Sequence, residues 1–261
     1  MKLVALPAFT DNYIWMIHDG QQALVVDPGD ATPVLAHLQA HRLALTAILV
    51  THHHMDHIGG LASLAPHLQG PVWGPADCGP VSVSHPVDEG QHLAWNGLDI
   101  EVWHTPGHTA NHLTYRVQMP LDGQGMRQVL WCGDTLFSAG CGRIFDGTAP
   151  ELHASLQRIS SLPDDTLVCC THEYTAANLA FARAAEPDNL QVVAAQQRAS
   201  ALRAAGHPTL PTTLSEERQI NPFLRTDAPT VVQQARHHGA PDDLPLSVFT
   251  ALRRWKNEFK A

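Results

Sequence analysis

The chain has 261 residues, of which 44% are hydrophobic and 16% are charged, and its formal net charge at pH 7 is −9. This composition excludes an intrinsically disordered chain and permits one large domain or two smaller ones. The excess of acidic residues argues against a general affinity for nucleic acid, which requires a basic surface.

The first two-thirds of the chain predict a mixed region of strands and helices. Short apolar runs that end in turn residues predict strands; in chain order these are NYIWMIHD, QALVVDPGD, TAILVTH, LDIEVWHTPG, HLTYRVQM, QVLWCGD and DTLVCCTHE. Helical spacing predicts helices at ATPVLAHLQAH, DHIGGLASLAPHL and APELHASLQRISSL. Four predicted strands lead into a residue that can bind a metal or orient a ligand, namely Asp27, His52, Asp134 and His172. Groups at strand ends converge on one edge of a sheet, where active sites are commonly found.

The last third of the chain predicts helices. TAANLAFARAAE and DNLQVVAAQQRASALRAAG are rich in alanine and have helical spacing. HPTLPTTLSEERQINPFLR is rich in proline, with Ser215 as a predicted helix cap, and PLSVFTALRRWKNEFKA predicts a final amphipathic helix. We therefore predict one domain over residues 1–172 and a helical domain over residues 173–261.

The N-terminal sequence, the lengths of the apolar segments and the cysteines predict where in the cell the protein is located. MKLVALPAFTDNY does not have the pattern of a signal peptide, and no window approaches the length of a membrane span. The five cysteines form neither a disulfide framework nor a C-x-x-C zinc pattern. We expect a cytoplasmic protein with free thiols that does not bind membranes, and we expect it to be a monomer.

The stretch THHHMDH contains the pattern H-x-H-x-D-H at His52, His54, Asp56 and His57. Residues two apart in an extended segment point the same way, so His52 and His54 can share one ion while His53 points elsewhere. Asp56 and His57 fall at the following turn and helix start, where they can face a second ion. So many imidazole and carboxylate groups packed closely require partners, and a cation would supply them.

Three later residues complete a possible ligand set. His108 lies in HTPGHTANH, Asp134 in WCGDTLF and His172 in VCCTHEY. Taken alone, each is more often a hydrogen-bonded cap than a ligand. Together with the first motif they make five histidines and two aspartates, enough for two divalent ions that share one carboxylate. Imidazole and carboxylate without thiolate suit zinc, iron or manganese.

The motifs VDPGD, THHHMDH, TPGHT, CGDTLF and THEY, in this order, resemble those of the metallo-β-lactamase fold and, within it, the glyoxalase II (hydroxyacylglutathione hydrolase) family. The resemblance covers nearly the whole chain. It implies an α+β fold, in which an αββα sandwich is the catalytic domain and an all-helical C-terminal domain binds substrate. It implies one metal at His52, His54 and His108, another at Asp56, His57 and His172, a bridging Asp134, and a supporting Asp27 that fixes the ligand loops.

The resemblance also implies a reaction. This is hydrolysis of the thioester S-D-lactoylglutathione, or a similar S-2-hydroxyacylglutathione, to glutathione and D-lactate, the second step of methylglyoxal detoxification. A hydroxide between two divalent ions is the implied nucleophile, with Asp56 and Asp134 positioning the ions and the hydroxide. Zinc is the first expectation for both ions, with iron and manganese as alternatives.

Basic and aromatic residues define the implied glutathione site. Arg253 and Lys256 lie three apart on one face of the last predicted helix, which by itself also fits a solvated helix end. The resemblance implies that they bind the glycine carboxylate of glutathione. CGRIFDG matches the family's substrate loop, with Arg143 where many members have lysine and Phe145 where many have tyrosine, and Tyr174 matches a tyrosine beside the thiol.

Four other functions compete with this interpretation. The same fold supports hydrolases of lactones or other thioesters, and persulfide dioxygenases share H-x-H-x-D-H but use one iron. A nucleic-acid-processing enzyme is disfavoured by the acidic charge, and a non-catalytic metal-binding protein is disfavoured by the complete ligand set. The second metal set and the pair of basic residues near the C-terminus favour a two-metal glutathione thioesterase.

Overall fold

Most of the apolar runs singled out in the sequence are strands in the computed structural model, which describes residues 1–79 and 82–260. The strands are β1 (Lys2–Ala8), β2 (Asn12–His18), β3 (Gln22–Val26), β4 (Ala44–Leu49), β5 (Val72–Gly74), β6 (His85–Pro86), β7 (His92–Trp95), β8 (Leu98–His104), β9 (Leu113–Leu121), β10 (Gly125–Gly133), β11 (Leu136–Phe137), β12 (Gly140–Cys141), β13 (Leu167–Cys170) and β14 (Thr212–Thr213). β1 and the short strands β5, β6, β7, β11, β12 and β14 were not predicted from the sequence.

The helices also follow the predicted pattern, with one addition near the C-terminus. They are α1 (Ala31–His41), α2 (Met55–Ile58), α3 (Leu61–Leu64), α4 (Ala149–Ser160), α5 (Thr175–Ala185), α6 (Leu190–Ala204), α7 (Leu214–Ile220), α8 (Pro229–His237) and α9 (Pro245–Glu258). The additional helix, α8, was not predicted.

The chain divides into two compact units. The first unit contains Met1–Thr105, Asn111–Gly133 and Leu167–His172, and the second contains Pro106–Ala110, Asp134–Thr166 and Glu173–Ala261. This division keeps a boundary at residue 172, but it assigns two earlier segments to the same unit as the C-terminal helices. The second of those segments contains α4, which packs against α9.

The first unit contains two sheets. One has the strand order β1-β2-β3-β4-β5-β6, antiparallel from β1 to β3 and parallel from β3 to β6. The other runs β13-β10-β9-β8-β7, with an antiparallel meander from β7 to β10 and β13 parallel to β10. α1 makes the crossover between the parallel strands β3 and β4, and it begins where the Asp30 side chain accepts a hydrogen bond from the Thr32 N–H.

Polar atoms at the ends of large side chains join the two sheets. The Tyr115 hydroxyl on β9 donates to the Val50 carbonyl at 2.7 Å. The indole of Trp95 on β7 donates to Thr46 on β4 at 2.9 Å, and the indole of Trp15 on β2 donates to the Cys170 carbonyl at 2.9 Å. The rings fill the space between the sheets while their polar atoms find partners, as buried Tyr and Trp require.

The helix predicted over DHIGGLASLAPHL is interrupted in the structure. It forms as α2, α3 and a 3-10 turn, with Gly59 and Gly60 between the two helices. Both glycines lie against the loop that follows β3: a Cβ atom on Gly60 would be 2.5 Å from the Pro28 carbonyl oxygen. This close approach bends the chain after His57 and keeps α2 short.

The second unit is mainly helical. Small residues on α5 and α6 form its core and allow close packing between helices; the buried cluster contains Ala139, Leu179, Ala182, Val192, Ala195, Ala199 and Ile220. Ser215 does not cap α7, so that prediction was wrong. The cap is Thr213, whose side chain accepts from the Glu216 N–H at 3.3 Å and thereby places Ser215 inside the helix.

The helices described in the structure include none with the length and apolar character that a membrane crossing demands.

Glu217 on α7 is the one fully buried glutamate among the described residues. Its carboxylate accepts from the Ala139 N–H at 2.8 Å and from the Thr212 hydroxyl at 2.8 Å. Burial raises the pKa of Glu217 to about 7, although these hydrogen bonds act in the opposite direction. The group therefore titrates near neutral pH inside the folded protein.

This titration predicts a pH-dependent effect of Glu217→Gln on stability. A carboxyl with a raised folded-state pKa stabilises the protein fully below its unfolded pKa, and this contribution is lost as pH rises through about 7. We expect the free energy of unfolding of wild type to fall relative to Glu217→Gln by up to about 3 kcal/mol between pH 4.5 and 8. Urea denaturation of both proteins over this range measures the difference; parallel pH profiles would contradict it.

Candidate metal centre

The loop after β4 carries the first predicted ligands in the first unit. His52 is fully buried, and its Nε2 lies 2.9 Å from Nδ1 of His54, which precedes α2. The intervening His53 turns to the Asp77 carboxylate, with Nδ1 and Oδ2 3.2 Å apart. The extended backbone at His54 (φ −63°, ψ 144°) produces this alternation, since adjacent side chains of an extended segment point in opposite directions.

Asp56, His57 and His172, all in this unit, form a group that could hold a metal ion. Each offers one ligand atom, and the three atoms all lie within 4.8 Å of one another. The Oδ2 atom of Asp56 is 3.5 Å from Nε2 of His57 and 3.4 Å from Nε2 of His172. These separations exceed the usual range for N–H···O hydrogen bonds. They match the distance of about 3.4 Å between ligands of a tetrahedral ion with bonds of about 2.0–2.1 Å. The residues therefore fit a divalent metal ion.

Carboxylates outside this group orient its histidines. Nδ1 of His57 lies 3.0 Å from Oδ2 of Asp27, and Nδ1 of His172 lies 2.9 Å from Oδ1 of Asp11. In both rings Nδ1 therefore faces a supporting carboxylate, and Nε2 faces Asp56. A histidine held by a carboxylate through its far nitrogen is the usual arrangement at a metal site.

Asp27 also supports the loop that carries His52. It accepts from the Thr51 N–H at 2.7 Å and from the Thr51 hydroxyl at 2.8 Å, and that hydroxyl lies 3.0 Å from Nδ1 of His52. The Asp27 backbone has φ +52°, in the left-handed region that aspartate tolerates better than most residues. One buried carboxylate thus contacts His57 directly and His52 through a threonine.

No sequence motif singled out Asp11 or Asn12 as site residues. Asp11 lies between β1 and β2, and Asn12 begins β2 and donates from its side-chain amide to Oδ2 of Asp56 at 3.2 Å. Asp11 follows no predicted strand, because β1 was not predicted. TDNY therefore carried no strand-end signal of the kind that identified Asp27.

The second unit contains the other two predicted ligands, His108 and Asp134. Nε2 of His108 lies 3.5 Å from Oδ2 of Asp134, again a ligand-to-ligand spacing, and its Nδ1 lies 2.8 Å from the Arg143 carbonyl oxygen. Gly142 permits this arrangement, because a Cβ atom there would lie 2.0 Å from the Asp134 carbonyl oxygen and 3.0 Å from Nδ1 of His108. Both side chains are buried.

Three cationic residues of the second unit have no acidic counterpart. No carboxylate in the described part of the chain forms a salt bridge with Arg143, Arg253 or Lys256. Burial, together with the positive charges of Arg253 and Arg143, lowers the pKa of Lys256 to about 8. Like charges that affect one another without a neutralising carboxylate form a candidate site for an anionic ligand.

The two members of the predicted basic pair differ in exposure. Lys256 is half-buried, and its Nζ donates to the Ala177 carbonyl at 3.0 Å. Arg253 is only 5% exposed, and its guanidinium donates to the carbonyls of Cys141 at 2.9 Å and Gly142 at 3.3 Å. Spacing along the helix predicted a shared face, but the packing of α9 buries Arg253 more deeply than Lys256.

The predicted aromatic contacts to substrate are exposed. The Phe145 ring is 64% exposed and meets the His108 ring edge to face, with centroids 5.2 Å apart. Tyr174 is 38% exposed, and its ring lies edge to face against Phe137 at 5.3 Å. Exposed aromatic rings of this size in the second unit are available to a ligand.

Family models match almost the entire chain. The model of the metallo-beta-lactamase superfamily matches residues 8–172, and the model of the hydroxyacylglutathione hydrolase C-terminus matches residues 173–259. The fold is thus a metallo-β-lactamase fold followed by a helical C-terminal region, as predicted. Together with the His/Asp groups, this fold indicates a divalent metal centre.

Relatives match over their full length. The hydroxyacylglutathione hydrolase of Albidiferax ferrireducens is 50% identical, over 99% of this chain and 100% of its own. That of Vibrio cholerae is 47% identical over 99% and 100%. Among solved structures, ETHE1 from Myxococcus xanthus is 25% identical, with a TM-score of 0.63 and 98% of each chain covered. TTHA1623 in a di-iron-bound form is 26% identical, with a TM-score of 0.56, and covers 86% of this chain and 100% of its own. Identity near one half over the whole length shows that this chain belongs to the hydroxyacylglutathione hydrolase family.

Proposed function

We propose that this protein hydrolyses S-D-lactoylglutathione and similar S-2-hydroxyacylglutathiones to glutathione and the free 2-hydroxy acid. The observation that carries the proposal is the group of Arg143, Arg253 and Lys256, which has no carboxylate partner in the described chain. Glutathione is an anion with two carboxylates, so a protein of net charge −9 requires local cations to bind it. The names of relatives that match the full length support the same substrate class.

The proposed metal ligands are those expected from the sequence. One ion is assigned to His52, His54 and His108, the other to Asp56, His57 and His172, with Asp134 shared. The mixture of imidazole and carboxylate suits two zinc ions, with iron or manganese as alternatives. Ions bound there would activate water as a nucleophile near neutral pH and polarise the thioester carbonyl.

The protein's own side chains orient the proposed metal ligands and the substrate. Asp11 pairs with Nδ1 of His172, and Oδ2 of Asp27 lies 3.0 Å from Nδ1 of His57, so the Nε2 atoms of both rings are left for the ion. Asp56 and Asp134 hold negative charge beside the histidines and position the ions and the nucleophile. Arg143, Arg253 and Lys256 attract the carboxylates of glutathione, and Phe145 and Tyr174 offer apolar surface beside them.

A thiol-release assay tests this function. We expect the metal-loaded protein to release free thiol from S-D-lactoylglutathione, and we expect removal of metal by a chelator to abolish the release. S-lactoyl-coenzyme A, which keeps the acyl group and lacks the glutathione peptide, serves as the matched control and should be a poor substrate. No thiol release by protein of verified metal content would contradict the proposal.

Phe145→Tyr is predicted to strengthen glutathione binding. The ring of Phe145 is exposed, so an added hydroxyl costs no burial and can donate to the peptide of the ligand. We expect KM for S-D-lactoylglutathione to fall by a factor of about 2 to 10, equivalent to about 0.5–1.5 kcal/mol. Steady-state kinetics measure the change in KM, with Phe145→Leu as a control that gains no hydroxyl. An unchanged or higher KM in Phe145→Tyr would refute the prediction.

A further inference from the structure

Three histidines of the first unit pack against one another on the first sheet. His18 is the last residue of β2, and His37 and His41 lie one turn apart on α1. The ring centroids of His37 and His41 are 4.2 Å apart, and the His18 ring lies 5.8 Å from His37 and 6.1 Å from His41. We call these three residues the histidine cluster.

The histidine cluster is separate from the candidate metal centre. Asn12, at the start of β2, donates to Asp56 of that centre, whereas His18 is at the other end of the same strand. A strand advances about 3.3 Å per residue, so the two ends of β2 lie about 20 Å apart. The cluster therefore shares no ligand with the proposed two-metal site.

The packing of α1 on the first sheet brings the three rings together. Side chains alternate along a strand, so His18 lies on the same face of the sheet as Met16. Met16 belongs to the hydrophobic cluster that also contains Leu38 of α1. His18 is consequently only 4% exposed, His37 is half-buried, and His41 is exposed. An ion in solution therefore has access from the side of His41.

Two buried ring nitrogens of the histidine cluster have no hydrogen-bond partner among the described residues. They are Nδ1 of His18 and Nε2 of His37. Buried polar atoms are nearly always paired with protein, water or an ion. Burial lowers the pKa of both rings, and the positive charges of Lys2 and His41 act in the same direction. Both rings are therefore neutral at pH 7, the form in which imidazole binds metal.

The charges that act on His18 come from three segments. Lys2 of β1 is opposite His18 in the strand pairing and opposes a further positive charge, but its side chain is exposed to solvent. Asp19 after β2 and Asp122 after β9 favour positive charge at His18. His41 is the last residue of α1, and the carbonyl groups at the C-terminal end of a helix also favour a cation.

We propose that His18, His37 and His41 bind a divalent transition-metal ion of the zinc, nickel or copper class. Imidazole is a good ligand for all three ions. Around a tetrahedral ion with bonds of about 2.0–2.1 Å, the ring centroids lie about 5 Å apart. The observed separations of 4.2–6.1 Å bracket that value. The bound ion would link the C-terminal turn of α1 to the end of β2.

Binding requires rotation of the rings. Among the described residues, the groups whose ligand atoms already lie within 4.8 Å of one another do not include the histidine cluster. His41 is exposed and His37 is half-buried, so both side chains can turn about their own bonds without repacking the core. His18, held by the strand and by α1, provides the fixed ligand.

A zinc titration of the full-length protein tests this site. The protein is first loaded with zinc at the candidate metal centre, and further zinc is then titrated in competition with a chromophoric chelator. We expect wild type to bind one additional equivalent, and we expect His37→Gln and His41→Gln to weaken that binding at least about tenfold. His67→Gln, which removes an exposed histidine outside the cluster, is the matched control and should bind as wild type does.

Two further measurements do not depend on thioester hydrolysis. In nitrogen spectra of the zinc-loaded protein, the additional equivalent should shift ring nitrogens of His18, His37 and His41. The same equivalent should raise the urea midpoint of wild type and of His67→Gln, because an ion that binds only the folded state stabilises it. It should leave the midpoint of His41→Gln unchanged. His41 is exposed, so this variant is expected to fold.

Each outcome decides the proposal. Additional zinc that is bound equally by wild type, His37→Gln and His41→Gln would overturn it, and so would the absence of any additional equivalent. Zinc that shifts His37 and His41 but leaves both ring nitrogens of His18 unchanged would indicate a two-histidine contact on the helix surface and would also overturn it. Selective loss of the additional equivalent in both variants, with shifted His18 nitrogens in wild type, supports the three-histidine site.

Discussion

Asp56→Ala is expected to lower the affinity of one metal site by at least about 100-fold and to remove most of the thioesterase activity. The Asp56 carboxylate is the single acid of its group, 3.4–3.5 Å from the Nε2 atoms of His172 and His57. Removing it leaves two imidazoles and the shared Asp134 of the proposed ligand set, which hold a divalent ion far less well than the full set does. Loss of a residue that only supports a ligand lowers metal affinity by about 10–100-fold. We therefore expect the loss of a ligand itself to lower the affinity more.

The exposure of Asp56 makes this variant interpretable. Its side chain is 41% exposed, so truncation leaves no buried cavity, and the main loss within the protein is the acceptor for the Asn12 amide. We expect the metal-free variant to unfold at nearly the same denaturant concentration as metal-free wild type. Metal content after dialysis against a chelator of known affinity, and kcat/KM on S-D-lactoylglutathione, measure the two effects.

Asp77→Ala provides a matched control. Asp77 also contacts a histidine of the same loop, with its Oδ2 3.2 Å from Nδ1 of His53, and it accepts from Asn111 at 3.1 Å. His53 is not among the proposed ligands, so Asp77→Ala should keep wild-type metal content and activity. Equal metal loss in Asp77→Ala and Asp56→Ala would mean that the whole loop, and not the Asp56 carboxylate, holds the ion.

The sequence predicted the fold well where local pattern determines it. The strand-to-loop transition at TAILVTH forms as expected, because β-branched and apolar residues favour a buried strand and His52 follows it. The helix over DHIGGLASLAPHL failed because its hydrophobic spacing is helical while Gly59 and Gly60 must approach the loop after β3. That approach depends on packing between segments, which periodicity does not report.

The same is true of the candidate site: local spacing predicts some of its residues, and contacts between residues distant in sequence were not predicted. The H-x-H-x-D-H spacing identifies His52, His54, Asp56 and His57 because the spacing itself sets their directions. Asp11 reaches His172 across 161 positions of sequence, and no local pattern marks that pair. Similarly, i to i+3 spacing places Arg253 and Lys256 on one face, yet only the packing of α9 near β12 decides that Arg253 is buried.

Asp27→Asn is expected to reduce metal affinity by about 10–100-fold while preserving the fold. Asparagine tolerates the φ of +52° at this position and has nearly the same shape as aspartate. Its carbonyl oxygen can replace Oδ1, which accepts from the Thr51 N–H at 2.7 Å. Its NH2 group must then occupy the place of Oδ2, which faces both the Thr51 hydroxyl and Nδ1 of His57.

The substitution exchanges donor and acceptor in two hydrogen bonds, Thr51 to Asp27 and Thr51 to His52, and in the 3.0 Å contact between His57 and Asp27. In wild type the Asp27 carboxylate can only accept, so Nδ1 of His57 carries the proton, and the Thr51 hydroxyl donates to Asp27 and accepts from Nδ1–H of His52. In Asp27→Asn the amide donates to both. His57 must then accept at Nδ1, and the Thr51 hydroxyl must donate to Nδ1 of His52. Both rings move their proton to Nε2, the nitrogen that would ligate the metal.

This mechanism separates Asp27→Asn from a simple loss of structure. We expect nitrogen chemical shifts of the metal-free variant to show Nε2–H tautomers at His52 and His57, with a free energy of unfolding within about 1 kcal/mol of metal-free wild type. Asp27→Ala should instead lose stability as well, because it leaves the buried Thr51 N–H without an acceptor and places alanine at a positive φ. Wild-type metal affinity in Asp27→Asn, or retained Nδ1–H tautomers with weakened binding, would show that Asp27 does not act through the protons of the two histidines.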